Sequence, residues 1–237
     1  MTFRNVIVCR MVPGSEQTVA DVFGYYDRTT RPQDLGVVGR TLLSFHGLYL
    51  HLIERDADPK VTGQTRGLPA FQQIAEKIGP YVTPYPRDWK NPSDSVAKEF
   101  YRWAPTGSPT DGAGLPADGA EPPADAGEPS RTVIVARIKP GAEPTVAQIF
   151  AESDAGPLPT MMGVTGRWLY SIDDVYLHVL ERTGEPFDGA VAQRHDQPAF
   201  AQIMDDLSPY ISPFDPETWG SPLDAVATEF YRWRAED

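Results

Sequence analysis

The chain repeats itself. RNVIVCRMVPGSEQTVADVF, from Arg4, matches RTVIVARIKPGAEPTVAQIF, from Arg131, at an offset of 127, and 25 of the 52 positions from Arg4 to Arg55 are identical. Pro69-Ala70-Phe71 matches Pro198-Ala199-Phe200, and Glu99–Trp103 matches Glu229–Trp233, with only two or three residues inserted on the way. Two copies are too few for a solenoid, which needs at least three repeats to bury a continuous core. Each copy of about 100 residues is long enough to form a small α+β domain. The repeat predicts domains over 1–103 and 131–237.

Between them lies APTGSPTDGAGLPADGAEPPADAGEPS, residues 104–130, with six Pro, five Gly, five acidic residues and no basic or aromatic residue. Such a stretch cannot bury enough apolar surface to offset the entropy of ordering, and reads as a disordered acidic linker. Its root-mean-square reach, from ~5–6 Å × √n, is roughly 30 Å. The first copy carries a charge of +2, the linker -5 and the second copy -9, for -12 in all. That balance argues against nucleic acid as a partner. Cys9 is the only cysteine, which excludes an intramolecular disulfide and a cysteine metal cage. Four histidines without HxH or HxxxH spacing predict no metal site. No run approaches the ~20 apolar residues of a membrane span. The N-terminus lacks the pattern of a secretory signal, so a cytoplasmic protein is expected.

Within one copy the pattern reads β-α-β-β-α-β. Asn5–Met11 is an apolar strand ended by Pro13-Gly14, and Ser15–Tyr26 carries Val19, Val22, Phe23 and Tyr26 at helical spacing. Val37–Phe45 and Leu48–Arg55 are β-runs joined by a His46-Gly47 turn. Ala70–Ile78 is a second amphipathic helix, and Ser95–Trp103 a last strand. This order is the ferredoxin-like split βαβ unit.

The hairpin register follows from the turn: Phe45 opposes Leu48, Ser44 Tyr49, Leu43 Leu50, Leu42 His51 and Arg40 Ile53. Side chains alternate between faces. Thr41, Leu43, Phe45, Leu48, Leu50 and Leu52 make one nearly uniform apolar face, expected to lie under the helices. Arg40, Leu42, Ser44, Tyr49, His51 and Ile53 make a mixed face, with Arg40 and His51 as diagonal neighbours. In the second copy Arg167, Ser171, Tyr176 and His178 share that face. A sheet covered on one side leaves the other open, and an open apolar patch marks an interface or ligand surface. The expectation is that the two mixed faces pair within the chain, as a barrel-like pseudo-dimer.

The pattern VIVCRMVPGS…VADVF…GVVGRTLLSFHGLYLHLIERD…PAFQQIAEKIGPYVTPY…DW…EFYRW resembles the small aromatic polyketide cyclases of the tetracenomycin cyclase type. The resemblance covers both copies almost end to end. It implies ferredoxin-like domains paired as a dimeric α+β barrel, here as an intrachain pseudo-dimer. It implies cofactor-free intramolecular aldol condensation and dehydration on a poly-β-ketone or partly cyclised polyketide, with type II polyketide synthase components as partners. The family's pocket arginine falls on Arg40 and Arg167, its strand histidine on His51 and His178, and its helix-end aspartate on Asp27 and Asp154. Tyr26 and Ser153 stand where a family enzyme has a histidine. The turn histidine survives as His46 and becomes Asp173 in the second copy.

The chemistry needs a base for a carbon between two ketones, a donor for the developing oxyanion, and a cavity that folds the substrate. His51 titrates in the right range, and Arg40 offers fixed donors. Tyr26, Tyr49 or Asp27 could relay the proton. His46, Ser44, Tyr49, Tyr176 and Asp154 are candidate substrate contacts. Blander readings stand beside these. A strand histidine can be structural, and Arg40 and Arg167 can be ion-pair partners of Glu54 and Glu181 or of an acidic residue elsewhere. The aspartates can form turns, Arg10 and Arg137 can anchor strand ends, and the FYRW segments can be core and pocket wall. His195 reads as exposed, before a helix. Two other functions fit the same features: a cofactor-free monooxygenase of the same barrel, and a non-catalytic binder that shapes a polyketide.

Overall fold

The computed structural model describes residues 3–56, 69–105, 130–184, 186–194 and 197–235. The elements in chain order are β1 (Phe3–Met11), α1 (Glu16–Thr29), β2 (Val37–Phe45), β3 (Leu48–Arg55), α2 (Pro69–Ile78), β4 (Val82–Pro84) and β5 (Lys98–Trp103). The second half holds β6 (Ser130–Ile138), α3 (Glu143–Asp154), the single turn α4 (Leu158–Met161), β7 (Val164–Ile172), β8 (Val175–Arg182), α5 (Phe187–Arg194), α6 (Pro198–Leu207), β9 (Ile211–Pro213) and β10 (Thr228–Arg234). The linker expected at 104–130 lies, from 106 to 129, outside the described residues, and so does His195.

The strands form two five-stranded antiparallel sheets, ordered β10-β2-β3-β1-β4 and β5-β7-β8-β6-β9. The last strand of each copy therefore lies in the sheet of the other. The chain divides into one compact unit of Met1–Ala97 with Ala227–Asp237, and a second of Lys98–Val226. The crossing points are matched. Ile7 bridges Val96 before the chain leaves the first sheet, and Ile134 bridges Val226 before it leaves the second.

The predicted hairpin register holds at every pair, from Phe45↔Leu48 to Arg40↔Ile53. The turn explains it: His46 and Gly47 have φ of 45° and 75°, as a two-residue primed turn requires. Asp173, in the place of His46, has φ of 50°. Histidine and aspartate both tolerate that conformation better than most residues. The short strands β4 and β9 were not foreseen. Arg10 donates to the Tyr85 carbonyl at 3.3 Å and Arg137 to the Phe214 carbonyl at 3.2 Å, each tying the end of β1 or β6 to the loop after that short strand.

The helices lie on the other face from the one expected. Val19 and Phe23 of α1 and Ile74 and Ile78 of α2 pack with Leu42 and Tyr49, on the mixed face. In the second unit Val146 and Phe150 of α3 and Ile203 of α6 pack with Leu169, Tyr176 and Leu180. The mixed face is thus not an open patch: Leu42 and Tyr49 are buried, as are Arg40 and His51. The uniformly apolar face is on the reverse of the sheet, and Leu43, Leu50 and Leu52 are buried there too. With both faces buried, apolarity alone does not tell which one the helices take.

The exchanged strands carry a β-bulge. Between Glu229 and Tyr231 the register of β10 on β2 shifts by one, and β5 on β7 shifts between Glu99 and Tyr101. A bulge sets two residues against one and re-aims side chains. Consecutive aromatics, Phe230 and Tyr231, then both join the helix-side cluster, as do Phe100 and Tyr101. Deleting Thr228–Asp237 should expose the β2 edge of the first unit. Hydrogen exchange should then show lost protection in β2 amides from Gly39 to Ser44, with β7 amides still protected. Lost protection in β7 with β2 unchanged would contradict the exchange.

Candidate active site

Two strands, one helix end and the exchanged strand build each site. In the first unit Asp27 closes α1, Arg40 sits on β2, and Tyr49 and His51 on β3. Tyr231 and Trp233 come from β10, opposite Leu42 and Arg40. The Arg40 guanidinium is 3.2 Å from Asp27 Oδ1, with the carboxylate almost fully buried. The Tyr231 hydroxyl donates to Asp27 Oδ2 at 2.8 Å. The Phe23 ring meets His51 edge to face at 5.1 Å, and the guanidinium carbon lies 5.1 Å from the Phe23 ring centre and 5.8 Å from that of Trp233. Cation–π contacts of this kind add to the ion pair.

The second unit repeats the plan. Arg167 Nε is 3.1 Å from Asp154 Oδ2, and the Tyr101 hydroxyl donates to the same oxygen at 2.9 Å. Phe150 meets His178 at 5.1 Å and lies 4.6 Å from the Arg167 guanidinium. One contact differs: Arg167 Nη1 lies 2.9 Å from His178 Nε2. Arginine can only donate, so Nε2 accepts and any proton of the neutral ring sits on Nδ1. In the first unit His51 Nε2 is buried without a hydrogen-bond partner among the described residues.

Charge follows burial. Burial pushes both imidazoles well below the ordinary histidine value of 6.5, and the neighbouring guanidinium adds to it at Arg40 and at Arg167. Both rings are therefore neutral at neutral pH. Burial pushes the carboxyls of Asp27 and Asp154 upward, against the pull of Arg40 or Arg167 and of the tyrosine hydroxyl. The Tyr49 phenol is pushed well above its usual value, again by burial, and stays protonated.

The expected residues do not all converge. Arg40, His51, Asp27 and Tyr49 share one site, and Arg167, His178, Asp154 and Tyr176 the other. The Tyr26 hydroxyl donates to Gln73 of α2 at 3.0 Å, which ties the two helices together. His46 is exposed at the hairpin tip, against the ring of Phe45. Ser44 is half-buried on β2, paired with Tyr49. Of the ion-pair alternatives, each arginine takes an acidic residue elsewhere, Asp27 for Arg40 and Asp154 for Arg167, while Glu54 takes Arg4 and Glu181 takes Arg131, both at 2.9 Å. Among the described residues no cluster of His, Cys, Asp and Glu has metal-binding geometry, and no helix is long and apolar enough to cross a membrane. Sequence reasoning read Tyr231 and Tyr101 as core and pocket wall, not as hydrogen-bond donors to the aspartates. The repeated FYRW ends carried a signal, but only the strand exchange shows which aspartate each tyrosine meets.

A family model described as polyketide synthesis cyclase matches the chain twice, over residues 3–104 and 130–234. Tetracenomycin F2 cyclase of Streptomyces glaucescens is 43% identical over 104 residues, which span 44% of this chain and 95% of that protein. Polyketide synthase CurG of Streptomyces cyaneus is 40% identical over 104 residues, 44% of this chain and 96% of that protein. Each relative thus has the length of one copy. A solved structure from Fusobacterium nucleatum aligns over 98% of this chain and 94% of its own, with a TM-score of 0.56 and 10% identity. That likeness is one of fold.

Two stability measurements test the site. Asp27→Ala leaves a buried guanidinium without its carboxylate, which should cost about 3–5 kcal/mol. Asp27→Ala with Arg40→Met should recover most of it in urea denaturation. The second measurement is pH. Above pH 6.5 the buried neutral imidazoles cost nothing in linkage. Below it the unfolded chain binds protons that the folded chain refuses, and stability falls by about 1.4 kcal/mol per pH unit for each histidine. The raised carboxyls act with the opposite sign, stabilising the fold as pH falls toward their ordinary value of 3.8. Between pH 7 and 5 the unfolding midpoint should fall, and His51→Gln with His178→Gln should flatten that slope.

Proposed function

This chain belongs to the polyketide synthesis cyclase family, and on that premise we propose that it closes a ring of a poly-β-ketone or partly cyclised polyketide. The reaction is intramolecular aldol condensation followed by dehydration, on the product of a type II polyketide synthase, without a cofactor or dioxygen. The observation that carries this reading is the buried set of Asp27, Arg40 and His51, repeated as Asp154, Arg167 and His178, among aromatic rings. The names of the relatives that share each copy support it.

Each residue has one task. Neutral His51 takes a proton from a carbon between two carbonyls. Arg40, fixed by Asp27, stabilises the charge that develops on oxygen and needs no reorganisation to do so. The enolate carbon then attacks a second ketone of the same chain. The new alkoxide recovers the proton from the imidazolium, and loss of water completes the step. The aromatic walls hold the chain so that one pair of carbons meets. Tyr26 acts through the contact of α1 with α2 and not as a relay. His178 must first give up Arg167 before its Nε2 can act, so the first unit is the better prepared of the two.

Arg40→Ala and Arg167→Ala, singly and together, should be compared in a reconstituted type II polyketide synthase system. Products are identified by mass spectrometry and NMR. Arg40→Ala should lower directed cyclisation about 10²–10³-fold and shift products to spontaneously cyclised shunts, with a smaller effect of Arg167→Ala. An unchanged product pattern in the double variant would refute the reading. Turnover should persist without dioxygen; its loss would point instead to oxygenation.

A further inference from the structure

The Tyr49 hydroxyl is buried and has no hydrogen-bond partner among the described residues, and the same is true of Tyr176. Tyrosine hydroxyls normally find a partner when buried, and a buried polar group without one costs the folded state its full desolvation penalty. Phenylalanine would fill the same space without that penalty. Yet the hydroxyl recurs in both copies, in Tyr49-Leu50-His51 and Tyr176-Leu177-His178, while flanking positions change: Leu48 to Val175, Leu52 to Val179, Ile53 to Leu180.

Its place points to what it lacks. Tyr49 and His51 are two residues apart on one strand and so face the same side. Their ring centres are 6.0 Å apart, and those of Tyr176 and His178 are 6.2 Å apart. His51 Nε2 and Arg40 Nε, on the same face, are also buried without a hydrogen bond. A substrate carbonyl held against this face would offer its oxygen to the hydroxyl and its neighbouring carbon to the imidazole.

We propose that Tyr49, and Tyr176 in the second unit, donate a hydrogen bond to the substrate carbonyl oxygen that becomes the enolate oxygen. This rests on the cyclase reading above and assigns the hydroxyl its role in it. The C–H bond breaks and its proton passes to His51 Nε2. The electron pair moves onto the carbonyl oxygen, and the phenol donates to that oxygen without giving up its proton. Burial keeps the phenol protonated throughout, and the donor is in place before charge develops.

The test compares the wild-type chain with Tyr49→Phe, Tyr176→Phe and the double variant in three measurements. The double variant should lose turnover about 10–100-fold, with KM changed less than about threefold. Its thermal midpoint should stay or rise, because the hydroxyl has no protein partner to lose. Its affinity for 2-naphthol, titrated above about pH 10 where a phenol ionises to an oxyanion, should drop about tenfold, with affinity for naphthalene unchanged. Turnover equal to an active wild type, or a lowered midpoint, overturns the assignment. If wild-type products match those made without protein, the cyclase reading itself falls. The naphthol titration then decides the hydroxyls alone, and equal affinity in wild type and double variant overturns their role as donors.

Discussion

A guanidinium lifted out of water at the centre of a small α+β unit sets the terms for everything around it. Arg40 and Arg167 are buried, and burial of an unpaired charge would cost several kcal/mol. The carboxylate at the end of the first helix of each copy answers that charge, so α1 and α3 must end over the sheet at one place. A second donor to each carboxylate is a tyrosine on the exchanged edge strand: Tyr231 takes the Asp27 oxygen that Arg40 leaves, and Tyr101 shares Asp154 Oδ2 with Arg167. Helix, hairpin and edge strand are thus tied together by one polar cluster, and the aromatic rings of Phe23 and Phe150 exclude water from it.

Identical residues do not make identical sites. Arg167 turns one nitrogen to Asp154 and another to His178, whereas Arg40 leaves His51 Nε2 open. The two copies differ in the surrounding residues, with Tyr26 against Ser153 and a 3-10 turn at Pro32–Leu35 against the helical turn α4. A tandem pair is free to diverge in this way because each site needs one strand from the other copy but not the other site's chemistry.

Much of this was legible in the residues alone. The repeat identified equivalent positions, and the His46-Gly47 turn specified the hairpin register pair by pair. Register placed Arg40, Tyr49 and His51 on one face, and the resemblance added Asp27. The helix-side assignment failed because it weighed apolar against polar faces. Arg40 is charged but paired with Asp27, and His51 is neutral and packed against aromatic rings, and a face whose charges are paired can be buried as readily as an apolar one. The role of Tyr231 was hidden for a different reason: nothing in a strand's composition says which of two equivalent edges it joins.

What the sequence by itself determined is local and periodic: two copies, the elements of each, the hairpin register, and the residue types that carry chemistry. These follow from turn geometry, side-chain alternation and helical spacing, which act over a few residues. The tertiary structure alone decided which face the helices cover, which edge the last strand completes, and hence which tyrosine meets which aspartate. Those choices are made between near-equivalent surfaces far apart in the chain, and only the packed fold, with its buried charges satisfied, distinguishes them.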